Sequence, residues 1–275
     1  MRTLKSCLAS VILLGTSNLG MAAVTQIEGA GGGGIVPWAL LAGDDPKQSM
    51  GGTASYTFIT TGNFDIHSVG AAASFGHLAE ISYAHHYLGL PESLQTATGT
   101  SEIQQNVFGA KFKLLGMNGM IPQIALGVQY KQNSNGDLVR ALGARDDSGT
   151  DFYLAATNVY PVGGKKLLLN GTVRATKANW FGLLGFGGPD NDSYEAQFEG
   201  SAGLFLNDQT VLGAEYRMKP DNLKSAGLAE NDAYDGFIAY FPNKNLALVA
   251  AYAGLGQIAT KQDQNGLYLQ VQASF

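Results

Sequence analysis

The amino-acid sequence predicts an all-β fold, an antiparallel transmembrane β-barrel of about 12 strands with short periplasmic turns and longer extracellular loops. Three observations point there. The chain opens on an export leader, and period-two alternation of apolar and polar residues runs through most of the rest. The alternating segments are joined by connections that are short and long in turn. Composition agrees: 45% of the 275 residues are hydrophobic and only 14% are charged, against about 25% charged in a soluble domain.

The leader spans residues 1–23. Arg2 and Lys5 make its basic start, Leu8 to Leu14 its apolar stretch, and Gly20, Ala22 and Ala23 its small-residue cleavage site. A helical anchor needs about 20 apolar residues, and this stretch is too short. The richest later run, Leu246 to Leu255, is also too short, so any membrane passage must be made of strands. The one cysteine, Cys7, lies in the leader, which excludes disulfides, Cys-ligated zinc and a thiol nucleophile from the mature chain. A net charge of −5 excludes a protein built to bind nucleic-acid phosphates.

Residues 24–50 are rich in glycine. Gly29-Ala30-Gly31-Gly32-Gly33-Gly34 fits the letters of a dinucleotide fingerprint, but that motif needs a strand before it and a helix after it. No nucleotide or other cofactor is expected. Glycine lets backbone approach a wall closely, and the segment starts from the periplasmic end. Gly31, Gly34, Pro37 and Trp38 are therefore expected to enter the barrel as a plug, with a flexible periplasmic remnant as the alternative. One helical turn is expected, near Trp38 to Leu41.

Residues 51–275 form the barrel. Alternating segments lie near 53–60, 64–75, 78–87, 103–115, 121–131, 151–160, 165–176, 193–206, 209–218, 233–241, 246–256 and 266–275. In the eighth, Tyr194, Ala196, Phe198, Gly200, Ala202, Leu204 and Leu206 alternate with Glu195, Gln197, Glu199, Ser201, Gly203 and Phe205. Most segments are close to the length of about 9–11 residues that a tilted strand needs to cross a bilayer. Short connections fall at Phe75–Leu78, Gly116–Met120, Pro161–Gly164, Asn207–Gln209 and Pro242–Asn245. Long polar ones fall at 88–102, 132–150, 177–192, 219–232 and 257–265, with Thr61–Asn63 the exception. A soluble sandwich would also alternate, but would need neither matched strand lengths nor so little charge.

The last segment carries a further signal. Leu267, Leu269, Val271, Ala273 and the terminal Phe275 share one face. Chains that end in this pattern resemble substrates of the barrel-assembly machinery, the expected partner of Leu269, Val271 and Phe275.

Longer runs extend the resemblance: Glu28-Gly29 through Gly34, Pro37-Trp38-Ala39, Pro122 through Lys131, and Gly143 through Tyr153. Leu169-Asn170-Gly171-Thr172, Phe181 through Gly188, Gln197 through Ala202, and Glu215 through Asn222 continue it. In these runs the chain resembles proteobacterial outer-membrane proteins known only as a domain of unknown function. The resemblance implies an outer-membrane barrel and no particular substrate.

From the alternation, the lumen is expected to be lined by Asp65, Glu80, Lys111, Lys113, Lys131, Asp151, Lys166, Arg174, Glu195, Glu199, Glu215, Arg217 and Asp235. An ion-selective constriction is usually of one sign. Here the signs mix on adjacent strands, which implies a crosslinked, partly filled interior.

No metal is expected. His85 and His86 are adjacent on a strand and point to opposite faces. The runs Asp146-Asp147 to Asp151 and Asp190-Asn191-Asp192 fit solvated loops as well as they fit calcium. Outer-membrane phospholipases set an enzymatic precedent, which needs a Ser and a His within reach of each other. With all four histidines (67, 77, 85, 86) on two neighbouring segments and no G-x-S-x-G elbow, no enzyme and no catalytic residue are expected. The expected function is a monomeric, narrow, porin-like channel for small solutes in the outer membrane, in contact with its lipids. A non-conducting structural or binding barrel is the alternative, and a lipid-acting enzyme the third reading.

Overall fold

The structure is a computed structural model and describes residues 23–275. The leader expected over 1–23 lies outside the described residues, apart from Ala23. Twelve strands follow the N-terminal segment: β1 (Met50–Thr61), β2 (Asp65–Phe75), β3 (Ala79–Gly89), β4 (Glu102–Leu115), β5 (Gln123–Asn133) and β6 (Ser148–Val162). The second half comprises β7 (Lys165–Thr176), β8 (Glu195–Asn207), β9 (Thr210–Arg217), β10 (Ala233–Asn243), β11 (Leu246–Gly254) and β12 (Asn265–Ser274).

Each strand pairs antiparallel with its sequence neighbours, and β12 closes on β1 in a register running from Gly266–Thr61 to Ser274–Thr53. Closure leaves no sheet edge, so backbone donors and acceptors are satisfied even against lipid. Burial alternates along every strand. On β5, for example, Gln123, Ala125, Gly127, Gln129 and Lys131 are buried inside while Leu126 and Tyr130 are exposed outside. The apolar face points outward, the reverse of a soluble sheet, as a lipid-facing wall requires.

The short connections lie at one end of the barrel and the longer ones at the other, except that the short turn between Thr61 and Asp65 sits at the long-loop end. The helical turn expected at Trp38 to Leu41 does not form. Helix occurs instead in two outer loops, α1 (Glu92–Thr98) and α2 (Gly136–Ala141). At 7 and 6 residues they are too short to leave a periodic signature. Gly99, at φ 71°, ends α1 in the left-handed conformation that glycine adopts freely.

If the long loops face outward, a cysteine at Ala226, exposed in the 218–232 loop, should react with an impermeant thiol reagent on whole cells. A cysteine at Asp208, in a short turn, should not. Reversed labelling would overturn the orientation.

At the turn end the seam is sealed by the last residue. Phe275 N–H donates to the Gly52 carbonyl at 3.0 Å, and Gly52 N–H donates to the Phe275 carbonyl at 2.7 Å. A Cβ on Gly52 would come 2.5 Å from the Phe275 ring, so the exposed ring sits close against that glycine. Leu269 and Val271 face outward on the same strand. Phe275→Ala should keep the seam hydrogen bonds yet reduce heat-modifiable protein in outer-membrane fractions while export continues. Wild-type levels in those fractions would remove Phe275 from the assembly signal.

Candidate functional site

The lumen is filled by the protein's own chain. Residues 23–42 enter it and are buried almost throughout; Ile35, Val36, Ala39 and Ala42 are 0% exposed. Val24–Thr25 pairs antiparallel with Gly31–Gly32, and Gly32 bridges to Pro37. The glycines let this fold press on the wall. Gly29 has φ 93°, and a Cβ there would come 2.7 Å from the Tyr83 carbonyl oxygen. At Gly33 a Cβ would overlap the Glu215 carboxylate. Trp38 Nε1–H donates to Ser201 Oγ at 2.9 Å, and Thr172 Oγ1 donates to the Pro37 carbonyl at 2.8 Å. The Ile27 carbonyl accepts from Ser68 Oγ and His86 Nε2. Residues 43–49 run along the turn-end rim, where Asp44 meets His77 at 2.6 Å.

Glu28 is the centre of a six-membered charge network, and the sequence reading missed it. Its carboxylate pairs with Lys131, with Arg217 at 2.8 Å and with Arg174 at 3.7 Å. Asp151 joins Lys131 at 2.7 Å and Arg174 at 3.3 Å. Glu199 joins Arg174 at 2.5 Å and Arg217 at 3.4 Å. Three acids and three bases thus neutralise one another out of water, the condition under which buried charge is tolerated. A second cluster grips the returning chain. Lys111 Nζ donates to the Gly31 and Leu40 carbonyls at 2.7 and 2.9 Å, and Glu80 accepts from Gly31 N–H and Ala42 N–H. Lys111 and Glu80 are themselves 3.3 Å apart.

Of the other residues expected in the lumen, Glu215 and Asp235 are buried and face inward on β9 and β10. Lys113 and Lys166 are half-buried at the turn-end mouth, Lys166 lying 3.7 Å from Asp208. Glu195 sits at the loop-end rim and accepts from Asn191 Nδ2 at 2.6 Å. Asp65 is a correction: it opens β2 with its side chain outward and exposed, while Phe64 and Ile66 face in. The interior is apolar at that level because loop side chains pack there, so the polar residue takes the outer face.

Those loop side chains belong to the 177–194 connection, where a long polar loop is expected over 177–192. It folds inward instead, burying Trp180, Phe181, Leu183, Leu184 and Phe186. Trp180, Phe181 and Leu183 share a small cavity with Ile27 and Ile35 of the N-terminal segment and Ile59 and Ile66 of the wall. Trp180 and Phe181 stand at φ 40° and 62°, conformations that bulky residues adopt only when their surroundings enforce them. The Arg217 guanidinium lies 4.3 Å above the Phe181 ring, and Lys131 Nζ donates to the Phe181 carbonyl at 3.2 Å. The clustering of Trp180, Phe181, Leu183 and Leu184 was the available signal.

A latch from the neighbouring loop holds this one in place. Glu230 accepts Trp180 N–H at 2.7 Å and lies 3.7 Å from Lys219. Burial pushes the Glu230 carboxyl up to about 7 and the Lys219 ammonium down to about 8. Docking therefore favours neutral Glu230: that contribution is complete below the ordinary value of 4.5 and lost as pH rises through about 7. Lys219 contributes in the opposite sense, fully above 10.5 and lost as pH falls through about 8. Docking is weakest near neutrality. After correction for the slower intrinsic exchange in acid, going from about pH 7.5 to about pH 5 should raise the protection of residues 179–184, and Glu230→Gln should abolish that gain.

Among the described residues, no group of three or more His, Cys, Asp or Glu side chains is placed to hold a metal. Asp146 and Asp192 pair with Lys177, and Asp147 pairs with Arg140. His85 faces outward to Asn106 while His86 faces in.

A family model described as protein of unknown function (DUF3034) matches residues 21–272. No curated protein matches the chain in sequence. Among solved structures the chain is similar to the KdgM porin in complex with disordered oligogalacturonate, at 12% identity and a TM-score of 0.53, over 81% of this chain and 99% of that one. It is similar to the outer membrane protein Omp33 of Acinetobacter baumannii, at 10% identity and TM-score 0.48, over 82% and 98% of the two chains. Outer membrane phospholipase A from Escherichia coli is similar at 11% identity and TM-score 0.42, over 80% and 91%. At these identities the likeness is one of fold, the closed barrel of outer-membrane proteins.

Proposed function

The chain belongs to the DUF3034 family of proteins of unknown function, and from that premise we propose that it is a porin-like outer-membrane channel for small solutes, held closed by its own N-terminal segment. One observation carries this reading. The segment that fills the lumen is no part of the barrel wall, yet its Glu28 supplies a shared partner to three wall bases, Lys131, Arg174 and Arg217. A closure made of ion pairs, hydrogen bonds and apolar contacts can come undone without breaking the barrel. The likeness to a porin fold supports the same reading. The protein is exported by its leader, inserted by the barrel-assembly machinery and active as a monomer among outer-membrane lipids. No catalysis is assigned: among the described residues the histidines bond to Tyr56, Asp44, Asn106, Gln105 and the Ile27 carbonyl, and none to a serine.

The rival is a permanently filled structural barrel, favoured by the completeness of the packing around Glu28 and Ile35. Planar-bilayer recording of the refolded protein separates the two. A gated channel opens rarely in the wild type and often once residues 24–41 are removed. Silence in both would leave the structural barrel.

A further inference from the structure

The lumen buries more acid than base, and the excess sits in one place. Glu28, Glu80, Asp151 and Glu199 each form an ion pair with a lysine or arginine. Among the described residues, Glu215 and Asp235 form none, although both are buried. They are register partners on adjacent strands and face the same interior, an arrangement in which like charges repel.

Glu215 accepts Ser201 Oγ at 2.7 Å and Ile35 N–H at 2.8 Å. Asp235 Oδ1 has no hydrogen-bond partner, and neither has the hydroxyl of Tyr268, a β12 residue that is 0% exposed. Between Asp235 and Tyr268 the inward residues of β11 are only Ala251 and Ala253, which leave room for the phenol. The three groups converge on Gly34. A methyl carbon there would stand 3.2 Å from Asp235 Oδ2, 3.4 Å from Tyr268 Cζ and 3.5 Å from Glu215 Oε2.

We propose that Glu215, Asp235 and Tyr268 form a site for a hard divalent cation of the calcium type, inside the lumen beside Gly34. Two buried carboxylates without a base are costly unless they share a proton or charge of the opposite sign reaches them. Carboxylate and phenol oxygens suit a hard cation, and a double positive charge matches two carboxylates. Glycine at position 34 keeps the atom-sized space between them open. Because Glu215 also accepts the Ile35 amide, the ion sits where the N-terminal segment meets the wall. A donor set with only two carboxylates implies affinity at the weak end, about 0.1–1 mM.

The probe is terbium(III), which enters calcium sites and emits when a tyrosine ring lies close by. The full chain is refolded in detergent with terbium, and folding is checked by heat-modifiability. The wild type should show saturable emission that calcium displaces. Asp235→Asn, which keeps the shape and removes one charge, should weaken binding by about tenfold or more. Gly34→Ala, which fills the space and leaves both carboxylates, should weaken it as well. Asp147→Asn, at the outer surface, should leave it unchanged. Equal emission from the wild type and Asp235→Asn would overturn the proposal. So would an absence of terbium binding together with an infrared carboxylic-acid band that Asp235→Asn removes, since the pair would then hold a shared proton.

Discussion

Removal of residues 24–41 should convert a rarely opening barrel into one that conducts for most of the recording. The wall should survive the deletion, because this segment contributes no strand to the closed barrel and residues 43–49 still lead into β1. Twelve strands enclose more space than the side chains of an eight-stranded barrel fill, and less than the water channel of a barrel with about 16 strands. Once the segment is gone, a water path of intermediate width remains. The effect should reach the other end as well: Trp180, Phe181 and Leu183 lose Ile27 and Ile35 beneath them, so the inward loop loses its floor. Single-channel recording measures the outcome, with heat-modifiability as the control for assembly. Unchanged conductance in a correctly assembled deletion would rule out closure by this segment.

Replacement of one residue should give much of the same result. Glu28→Ala leaves Lys131, Arg174 and Arg217 facing only Asp151 and Glu199, with one buried positive charge in excess. Breaking a buried ion pair by deleting one partner costs about 3–5 kcal/mol. The cost falls on the docked state, since an undocked segment leaves those bases open to water. At about 1.4 kcal/mol per tenfold, the open population should rise by roughly 10² to 4 × 10³. Glu28→Gln, which keeps some hydrogen bonding, should open the barrel less. Open probability and amide exchange of residues 24–42 read the effect directly. If both match the wild type while the barrel stays heat-modifiable, Glu28 does not hold the segment in place.

Much of the wall was legible in the sequence, and the reason is local geometry. A strand turns its side chains alternately to two faces, so Lys131, Arg174, Glu199 and Arg217 could be assigned inward one strand at a time. The same rule misled at Asp65, where polarity stood in for direction: Phe64 and Ile66 face in because a loop has brought apolar side chains to meet them. Glu28 gave no such signal. It lies in a glycine-rich stretch without period, and its Arg217 partner is 189 residues away. The inward fold of 177–194 was hidden for a related reason, since buried loop residues follow no repeat and are held by Glu230 and Lys219 from another loop.

The sequence by itself therefore determined the class of fold, the twelve strands, the lipid-facing and lumen-facing rows and the separation of short turns from long loops. Each of these depends on residues close together in the chain. The tertiary structure alone decided that the glycine-rich segment enters the lumen rather than remaining a free periplasmic remnant, that Glu28 joins three bases, and that Glu215 meets Asp235 beside Gly34 without a counter-charge. Those meetings depend on the stagger of a closed barrel and on the path of chain threaded through it, which place side chains from distant strands at one level.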